Sequence, residues 1–461
     1  MRLYDTSSRS IRDFTPIKKS EVGMYLCGAT VQGSPHIGHI RSSMVFDVLR
    51  RYFEFNNYKV VLVRNVTDID DKIIHNAGHE DIPWWELASR YEKEFTWAHE
   101  ELGNLAPTIE PRATGHITQM IEIIQTLIEK NYAYVAEGSV WFSVRSFKDY
   151  GLLSGQKIDE MLSAQDPDKG KKDPHDFALW KASKKDEPHW NTPWGPGRPG
   201  WHIECSAMAQ AYLGNQFDIH GGGLDLAFPH HENELAQSKA AGQQFANFWL
   251  HNYWVTQSGE KMSKSLGNTM KVSEVLSRFK AIDVRFYLLS AHYRSNLEFS
   301  DQALSDAATA FSRIEQFVIR ASEKVGEITL ASKLPKAFQE AMDEDIATPT
   351  AFAIIHEFVT NGNTALANDA SELKEILIQV RTMLDVLGLD PLNRQWKQES
   401  SQDTTKALDS LIQSMLKQRN EARAAKNFAV ADSVRDALKS AGILIEDTAQ
   451  NSRWSISKET K

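Results

Sequence analysis

Val22-Gly-Met-Tyr-Leu-Cys27, closed by Gly28, and then Thr30-Val-Gln-Gly-Ser-Pro-His-Ile-Gly-His39 form the stretch from which the fold is read. The first six residues are a short apolar run with strand character, and Gly33 and Pro35 mark the loop that follows. Beyond it Ile40, Val45, Phe46, Val48, Leu49, Tyr52 and Phe53 recur with a helical period. A second strand is expected at Tyr58-Lys-Val-Val-Leu-Val-Arg64, running into Asn65-Val-Thr-Asp-Ile-Asp-Asp71. Strand, polar turn, helix and strand make the first half of a nucleotide-binding α/β unit, with its ligand groups near the carboxyl ends of the strands.

Working outward, residues 112–197 read as an insertion in that sheet. They hold a helical segment from Gly115 to Lys130, β-type material at Tyr132–Phe142 and a polar stretch, Asp166-Pro-Asp-Lys-Gly-Lys-Lys-Asp-Pro174, expected at the surface. An aromatic return through Trp190, Trp194 and Trp201 leads back to the α/β pattern. There Phe217-Asp-Ile-His220 is a strand opening into Gly221-Gly-Gly223, and Phe248–Val255 is another strand. From about residue 305 helices take over, the last with Leu408, Leu411, Ile412, Met415 and Leu416 spaced to bury one stripe.

The 461 residues are enough for two to four domains, and 41% hydrophobic with 25% charged residues excludes a disordered chain. A net charge of -9 argues against indiscriminate nucleic-acid binding while leaving room for a local basic groove. Residues 405–461 carry ten Lys/Arg against seven Asp/Glu, a local balance of +3. No apolar leader follows Met1 and no run of 18 apolar residues occurs, so a cytoplasmic protein without a membrane span is expected. Two cysteines cannot staple a chain of this length, which favours a reducing compartment.

Those cysteines, Cys27 and Cys205, each sit in a dense polar motif, the second being Gly200-Trp-His-Ile-Glu-Cys-Ser206. Phe228-Pro-His-His-Glu-Asn-Glu234 adds imidazoles and carboxylates that could complete a zinc site. His230 and His231 compete as the imidazole donor, and adjacent helical residues point in different directions, so one of them binds. Pro35-His-Ile-Gly-His39 lies where a helix start can receive phosphate, with His36 and His39 on one side of a turn and Gly38 allowing close approach. Lys261 and Lys264, in Lys261-Met-Ser-Lys-Ser265, can converge on phosphate oxygens. Each short motif alone is also compatible with plain polar surface; their joint occurrence in this order is what carries weight.

The pair resembles the two signatures of class I aminoacyl-tRNA synthetases, and the flanking motifs narrow the resemblance to the cysteinyl-tRNA synthetase family. These are Met24-Tyr-Leu-Cys-Gly28, Arg64-Asn-Val-Thr-Asp-Ile-Asp-Asp-Lys72, Arg112-Ala-Thr114 and the two stretches around Cys205 and His230. Thr30-Val-Gln-Gly-Ser-Pro35 departs from the commoner Thr-Val-Tyr-Asp form and is similar to the actinobacterial branch. The resemblance implies a Rossmann-type parallel-sheet α/β catalytic domain with an inserted domain, followed by helical and mixed C-terminal tRNA-binding modules. On this division, 1–111 and 198–249 are the catalytic halves, 112–197 the inserted connective domain and 250–304 the lysine-motif region. Then come 305–392 as helical bundle, 393–404 as linker and 405–461 as anticodon-binding module.

It further implies ATP-dependent charging of tRNA(Cys) with L-cysteine through cysteinyl-adenylate, by a monomer, with magnesium accompanying ATP. One zinc per chain would be held by Cys27, Cys205, His230 and Glu234, with the family correspondence selecting His230. A thiolate binds zinc strongly where a hydroxyl does not, which can supply discrimination near 10⁴-fold, about 5–6 kcal/mol. His36, His39, Lys261 and Lys264 would stabilise the phosphates; Gly38, Gly221, Gly222, Gly223 and Asp225 would receive the nucleotide. Thr67 and Trp201 would border the amino acid, and Arg419, Arg423, Lys426 and Trp454 would meet RNA. Two other readings are a tRNA-independent cysteine ligase, which characteristically lacks a terminal module like 405–461, and a non-catalytic zinc-dependent RNA-binding module, which predicts loss of one nucleotide signature.

Overall fold

Parallel strands buried on both faces need continuous apolar runs, and Val22, Met24, Tyr25 and Leu26 supply one. The computed structural model describes residues 1–160, 170–261, 269–447 and 452–456, divided into two units, Met1–Pro391 and Leu392–Lys461. In the first, a hairpin of β1 (Arg2–Asp5) and β2 (Ser10–Asp13) precedes β3 (Glu21–Leu26), α1 (Ile37–Phe55), β4 (Lys59–Arg64), α2 (Asp71–Glu80) and α3 (Trp84–Glu101). After α4 (Ile117–Glu129) come β5 (Ala133–Ala136), β6 (Ser139–Phe142), β7 (Phe177–Ala182), β8 (Trp190–Thr192) and β9 (Gly195–Pro199). These five form an antiparallel sheet in the order β5-β6-β7-β9-β8. The chain returns through α5 (Trp201–Leu213), β10 (Gln216–Gly223), α6 (Glu232–Ala241) and β11 (Phe245–Asn252). The central sheet is parallel throughout, in the order β11-β10-β3-β4.

Next come β12 (Val255–Gln257) and β13 (Glu260–Lys261), then α7 (Val272–Leu276), α8 (Ala281–Leu289) and β14 (Leu297–Glu298), with sheet order β13-β12-β14. Helices α9 (Asp301–Val325), α10 (Lys336–Asp343), α11 (Thr348–Ala367) and α12 (Leu373–Val386) complete this unit. The second unit contains α13 (Arg394–Ala424), α14 (Phe428–Ser440) and an antiparallel hairpin of β15 (Ile443–Asp447) and β16 (Ser452–Ile456). Among the described residues no helix is long and apolar enough to cross a membrane.

The α/β architecture expected from the sequence is present, and the insertion is not a free appendage. One apolar cluster runs from Tyr25 and Val63 of the parallel sheet through Met120, Ile124 and Leu127 of α4 to Phe142, Leu179 and Trp180 of the antiparallel sheet. Loop approach is equally tight: a Cβ on Gly28 would lie 1.7 Å from the carbonyl oxygen of Asn65, so only glycine lets the turns after β3 and β4 pack.

Several local expectations differ. Residues 221–223 are the end of β10 rather than a loop, and β11 starts at Phe245 rather than Phe248. The polar stretch 393–404 read as a linker lies almost wholly within α13, whose start is capped by the Asn393 side chain on the Gln395 N–H. Polarity is no bar to a helix when one stripe packs later along it. That stripe is narrower than expected: Ile412 and Leu416 are buried with Leu438 and Ile443, while Leu411 is 60% exposed among the described residues. Residues 166–169 of the expected surface stretch lie outside the described residues, and Lys172 and Pro174 are exposed.

Candidate metal and nucleotide site

The carboxyl ends of β3, β4, β10 and β11 open into a cavity of about 550 Å³, within the range that suits a nucleotide-sized ligand. Its lining includes Cys27, His36, Gly38, His39, Trp201, Gly223 and Asp225. His36 precedes α1 in extended conformation, and no acidic residue occupies the first turn, so the positive end of the helix is left for an anion. The His36 backbone N–H donates to His39 Nδ1 at 3.2 Å, and the two rings stack with centroids 3.5 Å apart. Because Nδ1 accepts, the proton of a neutral His39 is on Nε2. Behind it Phe95 lies 5.2 Å away ring to ring, and burial together with the Arg64 and His39 charges holds His99 well below the usual imidazole range.

At Cys27, which lines the cavity, four buried donors meet. Cys27 follows β3, Cys205 is in α5, His230 lies in an irregular turn of Ala227–His231, and Glu234 is in the first turn of α6. Zinc binds sulfur at about 2.3 Å and nitrogen or oxygen at about 2.0–2.2 Å, so a tetrahedron requires separations of about 3.8 Å for S···S, 3.6 Å for S···N, 3.5 Å for S···O and 3.3 Å for N···O. Cys27 Sγ and Cys205 Sγ are 3.7 Å apart, Cys205 Sγ and His230 Nε2 3.6 Å, and Cys27 Sγ and Glu234 Oε1 3.4 Å. Of these four pairs His230 Nε2 to Glu234 Oε1, at 2.9 Å, departs most from the tetrahedral value, because the two are bonded directly to each other. The four therefore fit a zinc ion in both number and softness.

The electrostatics agree. Burial would raise the Glu234 carboxyl, but His220 and His230 outweigh it and hold the group well below the carboxylate range. Burial would lower His230, yet Glu234 and the Cys205 sulfur bring it up to about 10. Burial pushes the Cys27 thiol up, whereas for Cys205 the hydrogen bonds from Cys27 and His230 prevail over burial and lower it.

Around the donors lies a layer of histidines that sequence reasoning did not assign. His220 Nε2 is 2.8 Å from Glu234 Oε2, and His202 Nδ1 is 2.9 Å from His230 Nδ1, which orients each donor. His231 Nδ1 meets His251 Nε2 at 2.8 Å, and His251 Nδ1 meets Thr6 Oγ1 at 2.8 Å. Burial holds His202 and His231 well below the usual range and takes His251 down to about 3, so these rings are neutral. Trp249 stacks on His220 at 4.4 Å, and Trp201 lies 4.2 Å from His230. A second set, Cys27, His220, His231 and Glu234, is also close enough to hold an ion, but it offers one sulfur instead of two. The signal for these rings was weak, since linear spacing does not tell that α5, β10 and β11 converge.

Other expected residues are placed less directly. Thr67 is buried and its hydroxyl donates to Glu204 Oε2 at 3.0 Å, one layer behind the cavity wall. A Cβ on Gly221 would lie 2.0 Å from the Leu250 carbonyl oxygen, so this glycine serves strand packing; Gly222 lies against His231 and Cys27, and Gly223 alone of the three lines the cavity. Lys261 belongs to β13 by its backbone, and Lys264 lies outside the described residues. In the second unit Arg423 and Lys426 are exposed, whereas Arg419 is buried. Trp454 packs against the Ile412–Leu438 cluster and gives its indole N–H to Asp409 at 2.7 Å.

Comparison with known proteins follows the same lines. Residues 13–309 match the family "tRNA synthetases class I (C) catalytic domain", and residues 337–393 match the DALR domain. A protein of Streptomyces avermitilis named "Cysteine--tRNA ligase" is 54% identical over 461 residues, covering 99% of each chain. One of the same name from Streptomyces coelicolor is 53% identical, covering 99% of this chain and 75% of its own. Among solved structures, Mycobacterium tuberculosis methionyl-tRNA synthetase with methionyl-adenylate superposes with a TM-score of 0.58 at 14% identity, over 81% of this chain and 90% of that one. A putative arginyl tRNA synthetase from Campylobacter jejuni gives 0.53 at 15% identity, over 81% and 94%. These two share the fold.

Proposed function

The chain belongs to the class I tRNA synthetases, in the family of cysteine–tRNA ligases, and on that premise we propose how its side chains divide the work. Its activity is the ATP-dependent attachment of L-cysteine to tRNA. Zinc, held by Cys27, Cys205, His230 and Glu234, would supply a soft Lewis acid that prefers the substrate thiolate over a serine hydroxyl. The near-tetrahedral spacing among those donors, with Cys27 in the wall of the cavity at the start of α1, is the observation that carries this reading.

A cysteine whose sulfur met an ion held by these donors would have its carboxylate free to approach the start of α1. One carboxylate oxygen attacks the α-phosphorus of ATP, forming the acyl-phosphate bond while the bond to pyrophosphate breaks. The His39 Nε2 proton and the His36 ring stabilise charge on the phosphoryl oxygens, aided by the helix N-terminus. Lys261 and Lys264 neutralise the leaving pyrophosphate; magnesium travels with ATP. Asp225 accepts a ribose hydroxyl at the rim, where Gly38 and Gly223 leave room for the nucleotide. Trp201 walls the amino-acid pocket by packing on His230. Thr67 acts through the turn it anchors to Glu204 rather than by touching substrate.

In the second step a hydroxyl of the terminal adenosine of tRNA(Cys) attacks the adenylate carbonyl and AMP leaves, with no covalent enzyme intermediate. Arg423 and Lys426, exposed in the second unit, are the better placed of the four residues for phosphate contact. The small cysteine count supports a reducing compartment such as the cytoplasm.

Cysteine-dependent ATP–pyrophosphate exchange, followed by charging of tRNA(Cys), tests the assignment, with serine in parallel. Both activities with cysteine and neither with serine are expected. Exchange without tRNA charging would point to a tRNA-independent ligase, and absence of both would remove the enzyme reading.

A further inference from the structure

Two residues beyond His39, Arg41 is fully buried in α1. Its Nη1 donates to the carbonyl oxygens of Tyr253 at 2.9 Å and Trp254 at 2.8 Å, and its Nη2 to those of His292 at 3.1 Å and Ser295 at 2.7 Å. No ion pair is formed by this guanidinium among the described residues; four carbonyl dipoles hold the charge. Burial without a counter-charge brings Arg41 down to about 10, still protonated at neutral pH. Such an arrangement costs desolvation, and a packed apolar side chain would fill the same space without that cost. What the guanidinium adds is aim, since its planar fork reaches two pairs of acceptors in different directions.

Two of the acceptors lie in the cavity wall and two in the segment leading into β14. Tyr253 and Trp254 join β11 to β12 and line the cavity beside Asn252 and Val255. His292 and Ser295 precede β14, which pairs with β12 through Val255 with Leu297 and Thr256 with Glu298. The same wall is stitched by Tyr253 N–H to the Tyr293 oxygen at 2.7 Å and Leu297 N–H to the Trp254 oxygen at 3.0 Å. Farther along, the chain returns to the same helix start, where Ile37 N–H donates to the Met270 oxygen and Val272 N–H to the Pro35 oxygen, both at 3.1 Å. The histidines that meet the phosphates and the wall that faces them are therefore both referenced to the first turns of α1.

We propose that Arg41 is a positioning residue for adenylate formation, fixing the Asn252–Val255 wall relative to His36 and His39. The proposal rests on the reading of this cavity as the cysteine- and ATP-binding site. A lysine retains the charge but concentrates its donors on one nitrogen and cannot span both acceptor pairs. Displacing a reactant by about 1 Å can cost about 10²-fold in rate.

The test uses the full-length zinc-loaded protein, with R41K as the main variant and R41Q as the second. R41K is expected to lower kcat for pyrophosphate exchange by about 10- to 100-fold and to raise the KM for ATP. The KM for cysteine and the zinc content should match the wild type, because the metal donors lie on other elements. Rates are expressed per active site, titrated by the burst of adenylate, so that a loss of folded protein does not imitate a loss of kcat. If R41Q does not fold, R41K carries the test alone. R41K within twofold of the wild type, or equal shifts in the two KM values, would overturn the assignment of Arg41. Absence of exchange in the wild type would instead overturn the reading of the site itself.

Discussion

The two overlapping donor sets make the metal assignment testable one side chain at a time. Cys27 and Glu234 belong to both sets; Cys205 and His230 complete one, His220 and His231 the other. Structural zinc sites are worth about 10–16 kcal/mol, so one average donor of four accounts for about 3 kcal/mol, or about 150-fold in affinity. Cys205→Ser should exceed that figure, because it replaces a thiol already lowered by Cys27 and His230 with a hydroxyl that does not ionise near neutrality. His230→Gln should approach the average. His231→Gln should change zinc affinity by less than about threefold, since its ring is engaged by His251 and lies outside the preferred tetrahedron. Competition against a chromophoric chelator gives the affinities, and circular dichroism confirms that each variant is folded. Tight zinc in Cys205→Ser together with loss in His231→Gln would move the ion to the other set. Unchanged affinity in all three would refute the metal site.

Three further outcomes are expected. His39→Asn keeps an acceptor for the His36 N–H but removes the group at the Nε2 position, so kcat for exchange should fall about 10²- to 10³-fold with little change in Tm; a loss below about threefold would argue against a phosphate role. Burial would raise the Asp47 carboxyl, but Arg285 and Arg51 hold it below its unfolded value, so its contribution is present above about pH 4 and is lost as pH falls through the depressed folded value. Asp47→Asn should therefore cost about 3–5 kcal/mol at pH 7 and flatten the acid limb of stability measured by urea unfolding, whereas an unchanged acid limb would contradict the pairing. Deleting 392–461 removes a unit with its own core, so exchange should stay within about threefold while charging of tRNA weakens by at least about tenfold; equal loss of both would deny the separation.

Much of this site could be read along the chain because its chemistry is carried by short motifs at strand ends. Gly28, Pro35 and the His36–His39 spacing reveal a strand, a turn and a helix start, and those are local events. The candidate donors also emerge from motif context, although how His230 and His231 point depends on an irregular turn that no periodicity reports. Arg41 is invisible by comparison, since its four partners lie more than 200 positions away and are backbone atoms with no sequence signature. Trp454 shows a related effect: its packing on the Ile412–Leu438 cluster and its bond to Asp409 arise from tertiary contacts that linear spacing does not report. Residues 393–404 were misleading because polarity was read as a break, when a helix with one buried stripe farther on tolerates it.

Cys27 and Cys205 are the only cysteines of the chain, and both sit in the donor cluster. Every new copy therefore draws twice on the product of earlier copies, and on the proposed reading places both deliveries where that product would be selected. A serine delivered in error at either codon yields a copy lacking a donor, which drops out of the working pool. On that reading the sound fraction of new copies follows the square of the accuracy of the old ones, so the enzyme inherits its own errors.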